Sequence, residues 1–120
     1  MPDRGSMPEY DVHDETLVIG RTQVEFEHPI AEVVPYYGQY IVRLEYMDLP
    51  QALDNRNIIA CSQAGDRVWQ IEQAPASDAH DNPYAGLGVE GVGLVGHTWR
   101  GLTVRIDAGT GTWEMHEFRK

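Results

Sequence analysis

Apolar and polar residues alternate with a period of two along much of the chain, which is typical of β-strands with one buried face. The clearest example is the segment 40–46, whose alternating apolar side chains are Tyr40, Val42, Leu44 and Tyr46. The same period recurs in the segments 69–72 and 102–107. The pattern therefore predicts half-buried strands in all three segments.

Turn residues follow one another closely enough to favour hairpins. Clusters that contain Gly or Pro lie at 20–21, 27–29, 35–38, 63–66, 100–101 and 107–111. Parallel strands would need crossovers of about a dozen or more residues, usually helical, and the chain has no apolar helical stripe of that length. The best helical candidate is 48–55, with Asp48 as N-cap and Pro50 in the first turn, which predicts a short helix or a 3₁₀ turn.

These patterns together predict an all-β fold. We expect an antiparallel meander of hairpins, with eight to ten short strands, that forms a small barrel-like or two-layer sheet and has at most one short helix. Two segments 44 residues apart share a layout of strand, Gly turn and second strand. In each, a tryptophan follows the turn glycine by four residues, as Trp69 follows Gly65 and Trp113 follows Gly109. We interpret this echo as two hairpins with similar turn chemistry.

The chain of 120 residues suits one domain. Residues 1–14 are polar and predict a flexible N-terminal arm, within which Gly5-Ser6-Met7 is typical of a cloning junction. Residues 15–120 are then a single β-rich domain. Within it, the segment 73–83 contains two prolines and no apolar periodicity, and it predicts a flexible loop.

Composition narrows the classes of partner. The net charge of −10 repels phosphate backbones and disfavours nucleic acid, whereas a basic protein partner is compatible with it. No segment approaches the roughly 18 consecutive apolar residues of a membrane helix, and the arm lacks an apolar leader, so we expect a cytoplasmic protein with no membrane partner. The single cysteine, Cys61, excludes an intramolecular disulfide and a cysteine-based zinc cage.

Motifs that carry chemistry are weak in this chain. Glycines 86, 88 and 91, and again 91, 93 and 96, match G-x-G-x-x-G, but the helix that this nucleotide fingerprint requires is not predicted after them, so we interpret them as strand glycines. Asp78, His80 and Asp81 lie in the predicted loop without a diagnostic metal spacing, and we interpret them as a solvated turn. Cys61 is predicted to be a small core residue. We therefore predict no catalytic residues, no metal and no cofactor.

Aromatic residues beside predicted turns are the best binding candidates. Aromatic side chains and Arg dominate binding hot spots, and a turn residue is not buried by its own hairpin. The predicted binding residues are Tyr36, Tyr37, Tyr84, His97, Trp99 and Arg100. Alternatively, these side chains cap the ends of the core.

Part of the chain resembles a group of bacterial proteins. The resemblance runs from Asn57 through Gly65 and Trp69 to Tyr84, and on through Trp99-Arg100-Gly101 to the turn at 107–111. Over these residues the chain is similar to small uncharacterised bacterial β-rich proteins, some of them carried on mobile elements such as integron gene cassettes. Its hairpins also look like blades of quinoprotein-type propellers. The first likeness implies no established activity, and the second implies no quinone cofactor because 120 residues cannot close a ring.

Two functional hypotheses follow. The first is a non-enzymatic binding or interaction module, an immunity-like or accessory protein whose acidic surface meets a basic partner. The alternative is a small-ligand-binding β-barrel or an enzyme, with a pocket near Tyr84, His97, Trp99 and Arg100. Because a small sheet exposes its edges, we also expect a homodimer.

Overall fold

The structure is a computed structural model, and it describes residues 8–75, 82–91 and 93–115. Eleven strands and one 3₁₀ turn, η1 (Gln51–Leu53), occur within these residues. The strands are β1 (Tyr10–His13), β2 (Thr16–Ile19), β3 (Thr22–Glu25), β4 (Ile30–Tyr36), β5 (Gln39–Leu44), β6 (Ile58–Ser62), β7 (Arg67–Gln70), β8 (Tyr84–Glu90), β9 (Gly93–Thr98), β10 (Thr103–Ile106) and β11 (Trp113–Met115). No helix in the described ranges is long and apolar enough to cross a membrane.

The strands form three antiparallel meanders. Strands β1 to β3 make the first sheet, β4 to β7 the middle sheet and β8 to β11 the third sheet, each in chain order. Every pairing within these sheets is antiparallel. The predicted all-β fold of antiparallel hairpins is confirmed, although the described residues form eleven strands instead of eight to ten. The sheets are layered and not closed into a barrel.

The middle sheet is buried on both faces. On β5, Tyr40 belongs to an apolar cluster shared with the first sheet, and Ile41 belongs to a second cluster shared with the third sheet. Strand β6 alternates in the same way, with Ile59 on the first side and Ile58 on the second. The prediction of one buried face for the segment 40–46 is therefore wrong for β5, because a sheet covers each of its faces.

Arg43 is a charged side chain that this double burial encloses. It is only 9% exposed and pairs with Glu32 on the neighbouring strand β4, with 2.6 Å between Nε and Oε2. The pairing balances the buried charge, which would otherwise cost several kcal/mol. In the sequence, Arg43 made one face of the segment 40–46 look exposed to solvent, because arginine is rarely buried between sheets.

The two hairpins of the sequence echo contact each other through their tryptophans. The indole N–H of Trp69 on β7 donates to the carbonyl of Ala108 in the β10–β11 turn, at 2.9 Å. The indole N–H of Trp113 on β11 donates to the carbonyl of Gln73, just beyond β7, at 2.8 Å. Both segments are hairpins, as predicted. Their reciprocal bonds join the edge of the middle sheet to the edge of the third.

Part of the segment predicted to be an N-terminal arm belongs to the first sheet. Residues 10–13 form β1, which pairs with β2 in register Tyr10 to Ile19. Tyr10 also packs edge to face on Tyr40 of the middle sheet, with 5.5 Å between ring centroids. This aromatic contact anchors a segment whose polar composition gave no strand signal. Residues 1–7 of the arm and residues 76–81 of the predicted loop lie outside the described residues.

The connections of a meander alternate between the two ends of its sheet, which decides which loops are neighbours. The turn end carries the β4–β5, β6–β7 and β10–β11 turns, and a bond from Gln39 Nε2 to the Ala108 carbonyl, 2.8 Å, joins two of them. The loop end carries the β5–β6 connection and the β9–β10 turn. Candidate sites at the two ends are therefore separated by the length of the strands.

Candidate functional site

A groove of about 280 Å³ opens at the loop end. It is lined by Tyr46, Met47, Pro83, Trp99 and Arg100, and we call it the Trp99 groove. The β5–β6 connection supplies the first two residues and the β9–β10 turn supplies the last two. These two connections lie more than 50 residues apart in the chain, and they meet because both lie at the loop end of the stacked sheets.

Backbone hydrogen bonds hold the Trp99 side of the groove. The N–H of Trp99 donates to the Pro83 carbonyl at 2.8 Å, and the N–H of Arg100 donates to Oδ1 of Asn82 at 2.9 Å. Asn82 is fully buried, so this anchor belongs to the core. The turn therefore presents its side chains from a fixed backbone.

Two large apolar side chains of the groove remain in water. Trp99 is 59% exposed and Met47 is 62% exposed. His28 Nε2 donates to the Met47 carbonyl at 2.8 Å, which fixes the backbone beneath the methionine. An exposed Trp and Met on fixed backbone are typical of a contact surface for another molecule, because their burial would release apolar area from water.

An acidic cleft of about 480 Å³ adjoins the groove. Its lining residues are Tyr46, Asp48, Leu49, Gln51, Asp54 and Pro83. Since Tyr46 and Pro83 also line the Trp99 groove, the two depressions form one continuous loop-end surface. This surface is apolar at Trp99 and carries two carboxylates at its other side, and Arg100 is the one base among its described lining residues.

Tyr84 does not reach this surface. Its side chain is fully buried, its hydroxyl donates to the Glu72 carbonyl at 3.2 Å, and burial raises the pKa of that hydroxyl well above its ordinary value. The predicted pocket of Tyr84, His97, Trp99 and Arg100 is therefore not assembled as a set. Only Trp99 and Arg100 are brought together, and Tyr84 is a core residue.

His97 lies on the outer face of the third sheet. Its Nδ1 is 2.8 Å from Oγ1 of Thr103, and its Nε2 is 3.2 Å from Oε2 of Glu90. A hydroxyl, an imidazole and a carboxylate in a row form the order found in nucleophilic triads. Thr103 is only 4% exposed, however, so a substrate has poor access to its hydroxyl. The chain of bonds instead ties β8, β9 and β10 together.

Tyr36 and Tyr37 lie at the turn end, away from Trp99. Their rings pack edge to face with 4.7 Å between centroids. Tyr37 is 77% exposed, whereas Tyr36 is half-buried and lines a separate cleft of about 410 Å³. The predicted binding residues are thus divided among the loop end, the turn end, the sheet face and the core.

Metal and thiol chemistry find little support in the described part of the chain. Within those ranges, no group of three or more His, Cys, Asp and Glu side chains is placed to hold a metal ion. The segment of Asp78, His80 and Asp81 lies outside the described residues. Cys61 is fully buried, as predicted, and burial raises the pKa of its thiol to about 11. It is therefore protonated at neutral pH and is a poor nucleophile.

Sequence reasoning missed Tyr46, Met47 and Pro83 as surface residues. Tyr46 continued the apolar alternation of β5, but the strand ends at Leu44 and Tyr46 already belongs to the connection. Met47 carries no local signal for exposure. The alternation of hairpin connections would have placed this loop and the turn at Trp99 each at one end of its own sheet, but only the stacking of the two sheets brings them together.

Comparison with known proteins adds a family. No curated protein and no solved structure is significantly similar to the chain. One family model matches residues 7–118, which covers nearly all of the sequence. The chain therefore belongs to the family described as Domain of unknown function (DUF7957).

Proposed function

We propose that this chain is a non-enzymatic interaction module that binds a basic partner protein at its loop-end surface. The observation that carries the proposal is the pair of exposed apolar side chains, Trp99 at 59% and Met47 at 62%, at one groove. Aromatic residues and methionine are enriched where proteins meet. An apolar side chain of the partner would fill the Trp99 groove.

The negative charge of the chain favours a positively charged partner. The net charge of −10 attracts basic proteins and accelerates their encounter. At the loop-end surface, Asp48 and Asp54 line the cleft that adjoins the groove. A segment with one bulky apolar side chain and a neighbouring Lys or Arg matches both parts of the surface.

A phage-displayed library of random peptides, selected on the full chain, tests this match. We expect enriched peptides to combine a bulky apolar residue with Lys or Arg a few positions away. Binding of a synthesised, labelled peptide would then be measured by fluorescence anisotropy. The substitution Trp99→Ser should weaken it at least tenfold, and Asp48→Asn should weaken it less and reduce its salt dependence.

The matched control is Val68→Ser on β7. Val68 is 48% exposed but does not line the groove, so its substitution removes exposed apolar area without touching the site. Peptide binding should be unchanged in this variant. Enrichment of acidic peptides, or peptides that bind the Trp99→Ser variant as tightly as the wild type, would overturn the proposal.

An immunity-like or accessory role, a cytoplasmic location and carriage on mobile elements are compatible with such a module and remain proposals. The homodimer also remains a prediction. Among the described strands, β8 is a seven-residue edge strand, paired only with β9. It is a suitable place for a second copy to pair, whereas the equally long edge strand β4 contains Pro35.

A further inference from the structure

A second cleft lies at the turn end and combines aromatic with acidic side chains. It measures about 410 Å³, which is within the size range of small-ligand sites. Tyr36 and Trp113 are its aromatic lining residues, and Asp107 and Glu114 are its acids. We call it the Tyr36 cleft. It shares no lining residue with the Trp99 groove.

Both aromatic side chains are held by neighbours. The indole N–H of Trp113 donates to the Gln73 carbonyl at 2.8 Å, and its backbone N–H donates to Oε1 of Glu72 at 3.0 Å. The ring of Tyr36 packs against that of Tyr37, and a Cβ on Gly93 would lie 3.2 Å from the Tyr36 hydroxyl. The aromatic lining is therefore in place before any ligand arrives, which lowers the entropy cost of binding.

The charges of the cleft do not cancel. Among the described residues, Arg105 is the only basic one that lines it, and its guanidinium pairs with Glu114. Asp107 is the remaining charge; its Oδ1 accepts the N–H of Gly109 at 2.8 Å, and its side chain is exposed. Within the described lining, two carboxylates against one guanidinium leave an excess negative charge beside two aromatic rings.

We propose that the Tyr36 cleft binds an organic monocation, an alkylammonium or guanidinium group. Aromatic rings attract such cations through their quadrupole, most strongly where the cation is partly desolvated, and Asp107 adds a charge attraction. An anion would meet unpaired negative charge, and a neutral ligand would gain no cation–π attraction. This proposal rests on different residues from the Trp99 groove and does not depend on the function proposed above.

Nuclear magnetic resonance of the ¹⁵N-labelled full chain resolves this site, because the chain has three tryptophans and each gives one indole N–H signal. Choline and N-acetyl-arginine amide serve as probes, for a free cation and for a peptide side chain respectively. We expect at least one of them to shift the Trp113 signal in a saturable way while the Trp99 signal stays unchanged. The neutral choline isostere 3,3-dimethylbutanol should bind at least fivefold more weakly than choline if choline is the ligand.

Two substitutions in the Tyr36 cleft test whether the ring and the carboxylate bind the cation or only fill space. Tyr36→Leu keeps apolar volume but loses the ring, and Asp107→Asn keeps an acceptor for Gly109 but loses the charge. Each should weaken the cation at least fivefold, while Glu15→Gln, which neutralises an exposed carboxylate outside the cleft, should have no effect. Absence of a saturable Trp113 shift with both probes, or unchanged affinity in both cleft variants, would overturn the proposal.

Discussion

Tyr37 occupies a backbone conformation that its residue type disfavours. Among the described residues, four that are not glycine have positive φ, and three of them are Asp or Asn: Asp14, Asp48 and Asn55. Tyr37 is the fourth, with φ of 46°, and with Gly38 at 84° it forms a two-residue hairpin turn in which Asn-Gly is preferred. The Tyr37 side chain is 77% exposed, so its burial does not compensate the backbone strain. Its contribution is the ring contact that positions Tyr36.

Replacing Tyr37 with Asn should stabilise the fold. Because Asn tolerates the left-handed region, we expect Tyr37→Asn to raise the free energy of unfolding by about 1 kcal/mol. Urea denaturation followed by circular dichroism measures the change. Tyr37→Ala is the control, since it removes the ring and keeps the strain, and it should not stabilise. Equal stability of the two variants would show that the strain is not released.

At the level of the element, the contact of the two echoed hairpins depends on a glycine. Gly111 in the β10–β11 turn has φ of 81°, and a Cβ there would lie 2.6 Å from Cε3 of Trp69. The turn thus approaches the indole more closely than any side chain allows. Gly101 in the β9–β10 turn also has positive φ, 93°, but a Cβ there would meet nothing within 4 Å.

These two glycines form a matched pair for measurement. Gly101→Ala should cost about 1 kcal/mol of unfolding free energy, because it introduces backbone strain alone. Gly111→Ala should cost about 1 to 3 kcal/mol more, because overpacking against Trp69 is added. Parallel urea titrations give the difference. If both variants lose the same stability, the turn and the indole move apart freely and the hairpin contact is weak.

At the scale of the whole molecule, Asn57 joins the middle sheet to the third. It is fully buried, and its Nδ2 donates to the carbonyls of Leu44 and Tyr84, each at 2.8 Å. Its Oδ1 accepts the N–H of Tyr84 at 2.9 Å. One amide therefore satisfies three backbone groups, two on Tyr84 at the start of β8 and one on Leu44 at the end of β5.

Asn57→Ala should destabilise the protein by at least about 3 kcal/mol, because three backbone groups lose their partner and a buried unsatisfied group costs about 1 to 3 kcal/mol. Thermal and urea unfolding of the variant measure the loss. The exposed Gln63→Ala serves as control and should change stability by less than about 0.5 kcal/mol. A loss below 1 kcal/mol in Asn57→Ala would mean that water replaces the amide.

Local patterns were enough to predict strands, hairpins and the η1 turn, because alternation and turn residues act over a few neighbours. They also located the echoed hairpins and the buried Cys61. They failed at β1, which a distant aromatic contact with Tyr40 stabilises, and at β5, whose second face is covered by residues more than 40 positions away. Of the candidate surface, Trp99 and Arg100 were predicted, and Tyr46, Met47 and Pro83 were not.

What the sequence determines and what the tertiary structure decides differ in how far apart the interacting residues lie in the chain. Strand type, turn position, net charge and the absence of disulfide pairing within the chain depend on the residues themselves or on near neighbours, so they are present in the order of the amino acids. The neighbours of each sheet face, and the meeting of the β5–β6 connection with the turn at Trp99, depend on how three meanders stack. That stacking buries apolar area contributed by distant segments. The Trp99 groove and the Tyr36 cleft are products of tertiary packing.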